Sequence, residues 1–481
     1  MSNSTLRKGE VDFSNHLHEW DGFGVNYVEE AQYRNYNRIK KDPQEYGGFS
    51  LLSQEEREEI LEMIFGEEGL KPAMTKMFLD SFHQEEENQN SPGPNNLELS
   101  NYDHETTTKW MRYFNREGLK RTRARGDDLQ ILVTLYGPPG WMTKQGFTRG
   151  RDLDPEYREE CAKYMISWAK FLREEEGLPV RYISVHNEGE DWRRWPEDGS
   201  GPGEPNHDYN MYWPPAQVVD FLRFSREILD AQGMEDVSFT PGETSNWFRF
   251  SEWGYAKAIA DDEQALENMG LITSHGFFNG ELGGWYGDWR SRGIDKLREK
   301  KPSLHACVTS TSWSEMDAFF VKEIRNNIYS AKVNSIIPWA AVQRRGRWIG
   351  GDPNPGTAFV VQKGRGYQVQ PGYYYFKQVS RAGQAGTSVA EVAVNDSEMS
   401  LIAFAGDGSG NPDSFVLINT GKEKKEIELH LEGTESDSFK AYRTSPEERY
   451  DPAGTFTATD GRMTYAAPAG SVTTFFGDDA E

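Results

Sequence analysis

Cysteine is almost missing from this chain. Cys161 and Cys307 are the only two in 481 residues, and their separation matches no metal-ligand spacing. Both are expected to be buried thiols behaving as small apolar groups. Long apolar runs are missing too. None approaches the roughly 20 residues that span a bilayer, and Met1 to Glu10 lacks the apolar core of a signal peptide. The expected location is the cytoplasm, or a secreted one with the leader removed. The third shortage is positive charge. Lys and Arg total 53 against 77 Asp and Glu, a formal charge of -24, which disfavours nucleic acid or an anionic membrane as partner. It suits a soluble enzyme with a neutral or cationic ligand. The oligomeric state stays open.

What is present is a long alternation of strand and helix patterns. Ser53-Gln-Glu-Glu56 is a capping box opening an amphipathic helix through Phe65. Strand patterns cover 72–79 and 129–136, with a helix from about 105 to 116 between them, stopped by Gly118. A helical stripe follows at Tyr164, Trp168, Phe171 and Leu172. Further strands are expected at 180–186, 237–240, 270–275, 304–309 and 334–339. Counting from Gly22 gives eight strand-then-helix units, an α/β (β/α)8 TIM barrel. From about Gly386 the pattern becomes short alternating runs, such as Ser414 to Thr420 and Glu426 to Leu431, separated by Gly, Asp and Asn turns. That predicts an associated C-terminal β-sandwich domain. The expected division is a leading strand within 1–20 joined to the sandwich, the barrel over 21–382, and the sandwich over 383–481.

The barrel is organised around Val180 to Trp192. A β-rich apolar run (Val180, Tyr182, Ile183, Val185) breaks into His186-Asn187-Glu188, a polar cluster at a strand's C-terminal end, where barrels of this kind carry their chemistry. Other strand exits carry Glu243 in Pro241-Gly-Glu-Thr, His275, and the tryptophans Trp141, Trp247, Trp285 and Trp339. Aromatic rings fill cores and also stack on sugar faces.

Three stretches resemble glycoside hydrolase family 30. Gly137-Pro-Pro-Gly-Trp-Met142 is similar to that family's Ser-Pro-Pro-x-Trp-Met segment. Gln370 to Arg381 looks like its barrel-to-sandwich junction, and Gly22-Phe-Gly24 resembles its opening strand. The resemblance implies a retaining β-glycosidase without metal or organic cofactor, with a carbohydrate substrate. It makes Glu188 the general acid/base and Asn187 a hydroxyl-binding neighbour. A carboxyl at the barrel mouth, walled by aromatics, is expected to have a raised pKa and to stay protonated. Glu243 is expected as a subsite residue and His275 as a neighbour of the second carboxylate, with Trp141, Trp247, Trp285 and Trp339 as stacking candidates. Glu190 and Asp191 are read as loop solvation or helix caps.

The departure lies in the seventh strand, Ala306-Cys-Val-Thr-Ser-Thr-Ser-Trp313. The family places its nucleophilic Glu where Ser310 stands. Glu315, five residues on, lies about 16 Å away along an extended chain. The expectation is a retaining glycoside hydrolase disabled at its nucleophile, in an inactive or glycosynthase-type form. A carbohydrate-binding pseudoenzyme and an inverting hydrolase pairing Glu188 with another acid such as Glu243 are the alternatives. Arg193 and Arg194 of the loop Asp191 to Trp195, with Arg290, Arg292, Arg344, Arg345 and Arg347, are candidates for gripping a uronate or sulfate, or else are solvated or paired with acids.

Overall fold

The computed structural model describes residues 7–29, 48–84, 90–201, 210–277, 291–311, 316–344 and 357–478. The chain starts with β1 (Lys8–Trp20) and then enters the first barrel strand, β2 (Gly22–Asn26). The remaining barrel strands are β3 (Met74–Leu79), β4 (Gln130–Leu135), β5 (Val180–Ser184), β6 (Ser238–Thr240), β7 (Ile272–Ser274), β8 (Ala306–Thr311) and β9 (Ser335–Pro338). They pair in parallel in the order β6-β5-β4-β3-β2-β9-β8-β7. Bridges Phe239–Met269 and Thr244–Ser274 join the two ends and close the cylinder. This is a (β/α)8 barrel.

The barrel interior changes character along its axis. Near the N-terminal ends of the strands, Met74, Leu132, Leu271, Cys307 and Ile337 form an apolar plug against Tyr182. The opening Gly-Phe-Gly follows from that crowding, because a Cβ on Gly24 would lie 2.6 Å from Cγ1 of Ile337. Further along most of the strands the interior is polar, with Asn26, Lys76, Thr134, Thr240 and Thr273 all fully buried. The seventh strand carries an irregularity there. Val308 pairs with Ile336, yet the next pair is Thr311 with Pro338, so one extra residue of β8 is inserted beside Ser310.

The outer helices follow the sequence pattern with two adjustments. Ser53 accepts from the Glu56 amide, and Glu56 returns a carboxylate to the Ser53 amide, starting the helix Gln54–Phe65. The next helix, Lys109–Ala124, does not stop at Gly118. Gly118 is interior to it because the Phe65 ring packs there, with Cζ 2.6 Å from where a Cβ would be. The helix that carries the Tyr164, Trp168, Phe171 and Leu172 stripe begins as a 3-10 turn at Pro155–Tyr157 and becomes regular over Arg158–Glu174.

Beyond the barrel come a small sheet of β10 (Val342–Gln343), β11 (Phe359–Gln362) and β12 (Gly366–Val369), then the helix Pro371–Ala382. Eight strands follow: β13 (Thr387–Val394), β14 (Met399–Ala405), β15 (Ser414–Asn419), β16 (Lys425–Glu432), β17 (Ser438–Thr444), β18 (Arg449–Thr457), β19 (Arg462–Ala467) and β20 (Ser471–Gly477). With β1 they make one nine-stranded sheet, ordered β18-β17-β20-β15-β14-β13-β1-β16-β19. β1 runs antiparallel to β13 and parallel to β16. The sheet folds over its own core, which brings its two edges together: Phe456 of β18 lies 5.2 Å from Tyr465 of β19. The result is a β-sandwich. The helix Pro371–Ala382 joins it to the barrel, with Tyr373 donating to Met63 O at 2.8 Å on one side and Tyr375 to Gly470 O at 2.9 Å on the other.

Candidate active site

The fourth and fifth barrel strands stay paired past their formal ends. The Glu243 amide donates to His186 O at 2.9 Å, and the Glu188 amide to Glu243 O at 2.8 Å. Between them Gly242 takes φ +90°, where a Cβ would collide with the His186 ring at 2.2 Å. Glu188 itself sits in the left-handed region at φ +46°, a conformation costly for a residue with a side chain and concentrated at functional sites. That turn lifts its carboxyl to the C-terminal mouth of the barrel, where its side chain is 13% exposed.

Both carboxyl oxygens of Glu188 accept hydrogen bonds from nitrogen donors. His275 Nδ1 lies 2.9 Å from Oε1, and Arg194 Nη2 lies 2.9 Å from Oε2. Arg194 also donates to the Glu188 carbonyl at 3.1 Å. The other nitrogen of His275, Nε2, is 3.1 Å from Glu243 Oε2. Glu243 is fully buried and meets Lys76 in a buried ion pair, while Thr134 donates to its Oε1 at 2.5 Å. Four strands thus converge on one chain of contacts: Lys76 from the second, Glu243 from the fifth, His275 from the sixth and Glu188 from the fourth.

The electrostatics follow from this geometry. Burial alone would raise the Glu243 pKa, but the Lys76 ammonium and His275 outweigh it and hold the group at about 2. Burial alone would lower His275, but its hydrogen bonds to Glu188 and Glu243 outweigh that and raise it. Protonated, the imidazole donates from both nitrogens. Glu190 and Asp191, expected as loop solvation or caps, both have structural partners. Asp191 caps the 3-10 turn Trp192–Arg194. Glu190 is buried and accepts from Ser245 N at 3.0 Å, Ser245 Oγ at 2.7 Å and Arg249 Nη1 at 2.7 Å.

Of the residues singled out from sequence, Glu188, Glu243 and His275 meet directly. Asn187 is buried beside them, its Nδ2 3.4 Å from Asn210 Oδ1. Ser310 lies on the seventh strand, 3% exposed. Trp141 and the Gly137–Gly140 segment follow β4, at the same barrel end as Glu188. The Trp141 indole donates to Gln84 O at 3.2 Å and stands edge-on to Tyr157. Two stacking candidates are buried, as Asn187 and Ser310 are. Trp247 is 1% exposed and donates to Asn327 Oδ1 at 3.2 Å. Trp339 is 7% exposed, against Phe78. Glu243, expected at a subsite, is likewise too deep to touch a ligand. Trp285, Arg290, Arg345 and Arg347 lie outside the described residues, as does Glu315; Arg292 pairs with Glu252.

Sequence reasoning missed Lys76 and Thr134 as members of the site, while Arg194, read as a grip for an acidic sugar or else as paired with an acid, is ion-paired with Glu188. Lys76 did carry a signal, a lone cation inside the apolar strand Met74-Thr-Lys-Met-Phe-Leu79. Among the described residues no cluster of side chains could hold a metal ion, and no helix is long and apolar enough to cross a membrane.

Neither a family model nor a curated protein matches the sequence. Solved structures do match the fold. A GH30 endoxylanase from Clostridium papyrosolvens C71 is 18% identical, covering 98% of this chain and 100% of that one with TM-score 0.67. Xyn30A from Clostridium acetobutylicum, a glycoside hydrolase family 30 subfamily 8 xylanase, is 18% identical over 98% and 100% with TM-score 0.69. An endo-β1,6-glucanase, BT3312, is 14% identical over 98% and 94% with TM-score 0.68. The barrel-plus-sandwich fold is therefore the one these enzymes share.

Proposed function

We propose that this chain is a glycoside hydrolase of the retaining, family 30 type acting on a β-linked glycoside, with Ser310 standing where the nucleophilic carboxylate would be. The observation that carries this reading is Glu188. It sits at the exit of the fourth strand in a strained backbone, its carboxyl aimed into the barrel mouth and oriented by His275 and Arg194. The likeness of fold to xylanases and a β1,6-glucanase over nearly the whole chain supports it. In this reading Glu188 serves as general acid when the glycosidic oxygen leaves and as general base when an acceptor attacks, and Asn187 holds a sugar hydroxyl.

Pairing Glu188 with Glu243 in an inverting mechanism is disfavoured by two observations. Inversion needs a water between two carboxyls, but here the His275 imidazole occupies that space. Glu243 is also fully buried and ion-paired, so it acts on its neighbours rather than on substrate. A serine hydroxyl in the nucleophile's place is too short to reach an anomeric carbon and carries no charge to stabilise an oxocarbenium ion. This favours a chain that binds its glycoside with little turnover.

The test is hydrolysis of aryl β-glycosides by the chain as it stands and by Ser310→Glu. The expected outcome is near-inert protein whose rate rises by orders of magnitude on substitution. Substantial activity without the substitution, and no rise with it, would remove Ser310 from the nucleophile position. Activity in neither would favour a carbohydrate-binding protein without turnover.

A further inference from the structure

The turn that delivers Arg194 to Glu188 presents a different face outward. Trp192, at its start, is 51% exposed, and among the described residues Leu17 and Phe319 are the only other large apolar side chains so exposed. The indole is nevertheless held in place. It lies 5.4 Å from Trp253 at 55°, and the Arg193 guanidinium stands 5.8 Å and 5.3 Å from the two ring centroids. Arg249 covers Trp253 at 4.5 Å and is anchored on Glu190 and Asp191. A rigid indole left facing water at the mouth of a barrel is a preorganised contact surface.

Trp192 borders a cleft of about 680 Å³ lined also by Arg151, Asp152, Arg193, Trp195, Glu197 and Tyr212, a size ordinary for small-molecule sites, and the Glu197 carboxylate adds to what would repel an anion. It opens between the segments that leave the third and fourth barrel strands, at the Glu188 end. The pairing of its charges decides what it suits. Arg193 forks onto Asp191 through two 2.7 Å bonds, and Arg151 Nε lies 3.1 Å and 3.0 Å from the two oxygens of Asp152. An anion would have to displace a carboxylate already in place, so a grip on uronate or sulfate is not what this cleft offers. A matched Arg–Asp pair offers both donors and acceptors to a neutral ligand, and the indole offers a flat apolar face. A pyranose has the complementary surface, one C–H face and a rim of hydroxyls.

We propose that this cleft is a binding site for a neutral saccharide unit, with the Trp192 indole as its stacking face. It would serve as a distal subsite for a chain whose scissile end lies at Glu188, and in that respect rests on the glycoside reading of the barrel mouth. The test is calorimetric titration with neutral β1,4-xylo-, β1,4-gluco- and β1,6-gluco-oligosaccharides of two to six units, and with glucuronate-bearing xylo-oligosaccharides. The wild-type protein, Trp192→Ala, Trp192→Phe and Glu188→Gln are compared, with circular dichroism confirming each fold. The expected result is that one neutral series binds wild type more tightly as it lengthens. Trp192→Ala should weaken the longest member ten- to hundredfold, Trp192→Phe should restore most of it, and the shortest member should be little affected. Wild-type affinity within threefold in Trp192→Ala, or an acidic oligosaccharide binding ten times tighter than its neutral counterpart, would overturn the proposal. If such binding responds to Glu188→Gln, the glycoside reading survives that failure. No binding by any series would sink both.

Discussion

His275 is the residue on which the site turns. Its two nitrogens face two carboxylates, and the deeper of these, Glu243, is held ionised by Lys76. The charge of Glu243 therefore sets the proton affinity and ring orientation of the imidazole that positions Glu188. Replacing Glu243 by Gln keeps the shape and removes the charge, so the His275 pKa should fall, read by two-bond ¹H–¹⁵N NMR of the ring. An unchanged titration would mean that Glu188 alone sets the imidazole. The pH dependence of stability has two limbs. Glu243 is depressed from 4.5 to about 2, so its contribution is complete above pH 4.5 and is lost as pH falls toward 2. His275 is raised above 6.5, so its contribution is present below 6.5 and lost as pH rises through the folded value. Urea unfolding of wild type across pH 3 to 9 should show both limbs, and Glu243→Gln should flatten the acid one.

At the scale of elements, Gly118 sets two effects against each other. Helix propensity alone makes Gly→Ala within a helix worth up to about 1 kcal/mol of added stability. Packing opposes it, because the new methyl would sit 2.6 Å from the Phe65 ring, and overpacking a filled core costs about 1–3 kcal/mol. Packing should win, so Gly118→Ala is expected to lower the urea midpoint; a raised midpoint would show that the ring moves aside at little cost. The same glycine shows where sequence reading stopped short. Strands were legible because β-branched runs such as Ile131–Leu135 and their polar exits announce themselves locally, and Ser53–Glu56 marked a helix start through contacts three residues apart. Gly118 looked like a helix end because its reason for being glycine lies in another helix. Lys76 and Glu243 are 167 residues apart, and nothing local to either reveals the pair. Trp247 sits at a strand exit, as a stacking residue would, yet it is 1% exposed, bonded to Asn327 and packed against Phe250.

At the scale of the whole molecule, barrel and sandwich share their packing. Along β14, Leu401 and Ala403 face the sandwich's own core, while Ile402 and Phe404 belong to the cluster that runs through the barrel. β15 repeats this, with Phe415 and Leu417 on one face and Val416 and Ile418 on the other. Both faces are covered, which is why these strands are apolar nearly throughout instead of alternating with polar residues. The contact is made of rings: Phe404 lies 5.4 Å from Trp20 and 6.4 Å from Phe23, and Phe23 lies 5.4 Å from Phe376 of the joining helix. At the same junction the buried Gln378 amide donates to Thr444 Oγ1 at 2.9 Å and accepts from Thr474 N at 3.1 Å. A barrel separated from this sheet would expose that apolar face, so the two parts should unfold as one unit despite a length at which chains often divide. Removing the Phe404 ring is the most direct probe. Phe404→Ala should cost about 3–5 kcal/mol, and calorimetry should still show a single transition, moved to lower temperature. Hydrogen exchange should then show the amides of β4 in the barrel and β15 in the sandwich losing protection together. Two transitions, or β15 exchanging while β4 stays protected, would mean that the sandwich is a separate cooperative unit resting on the barrel.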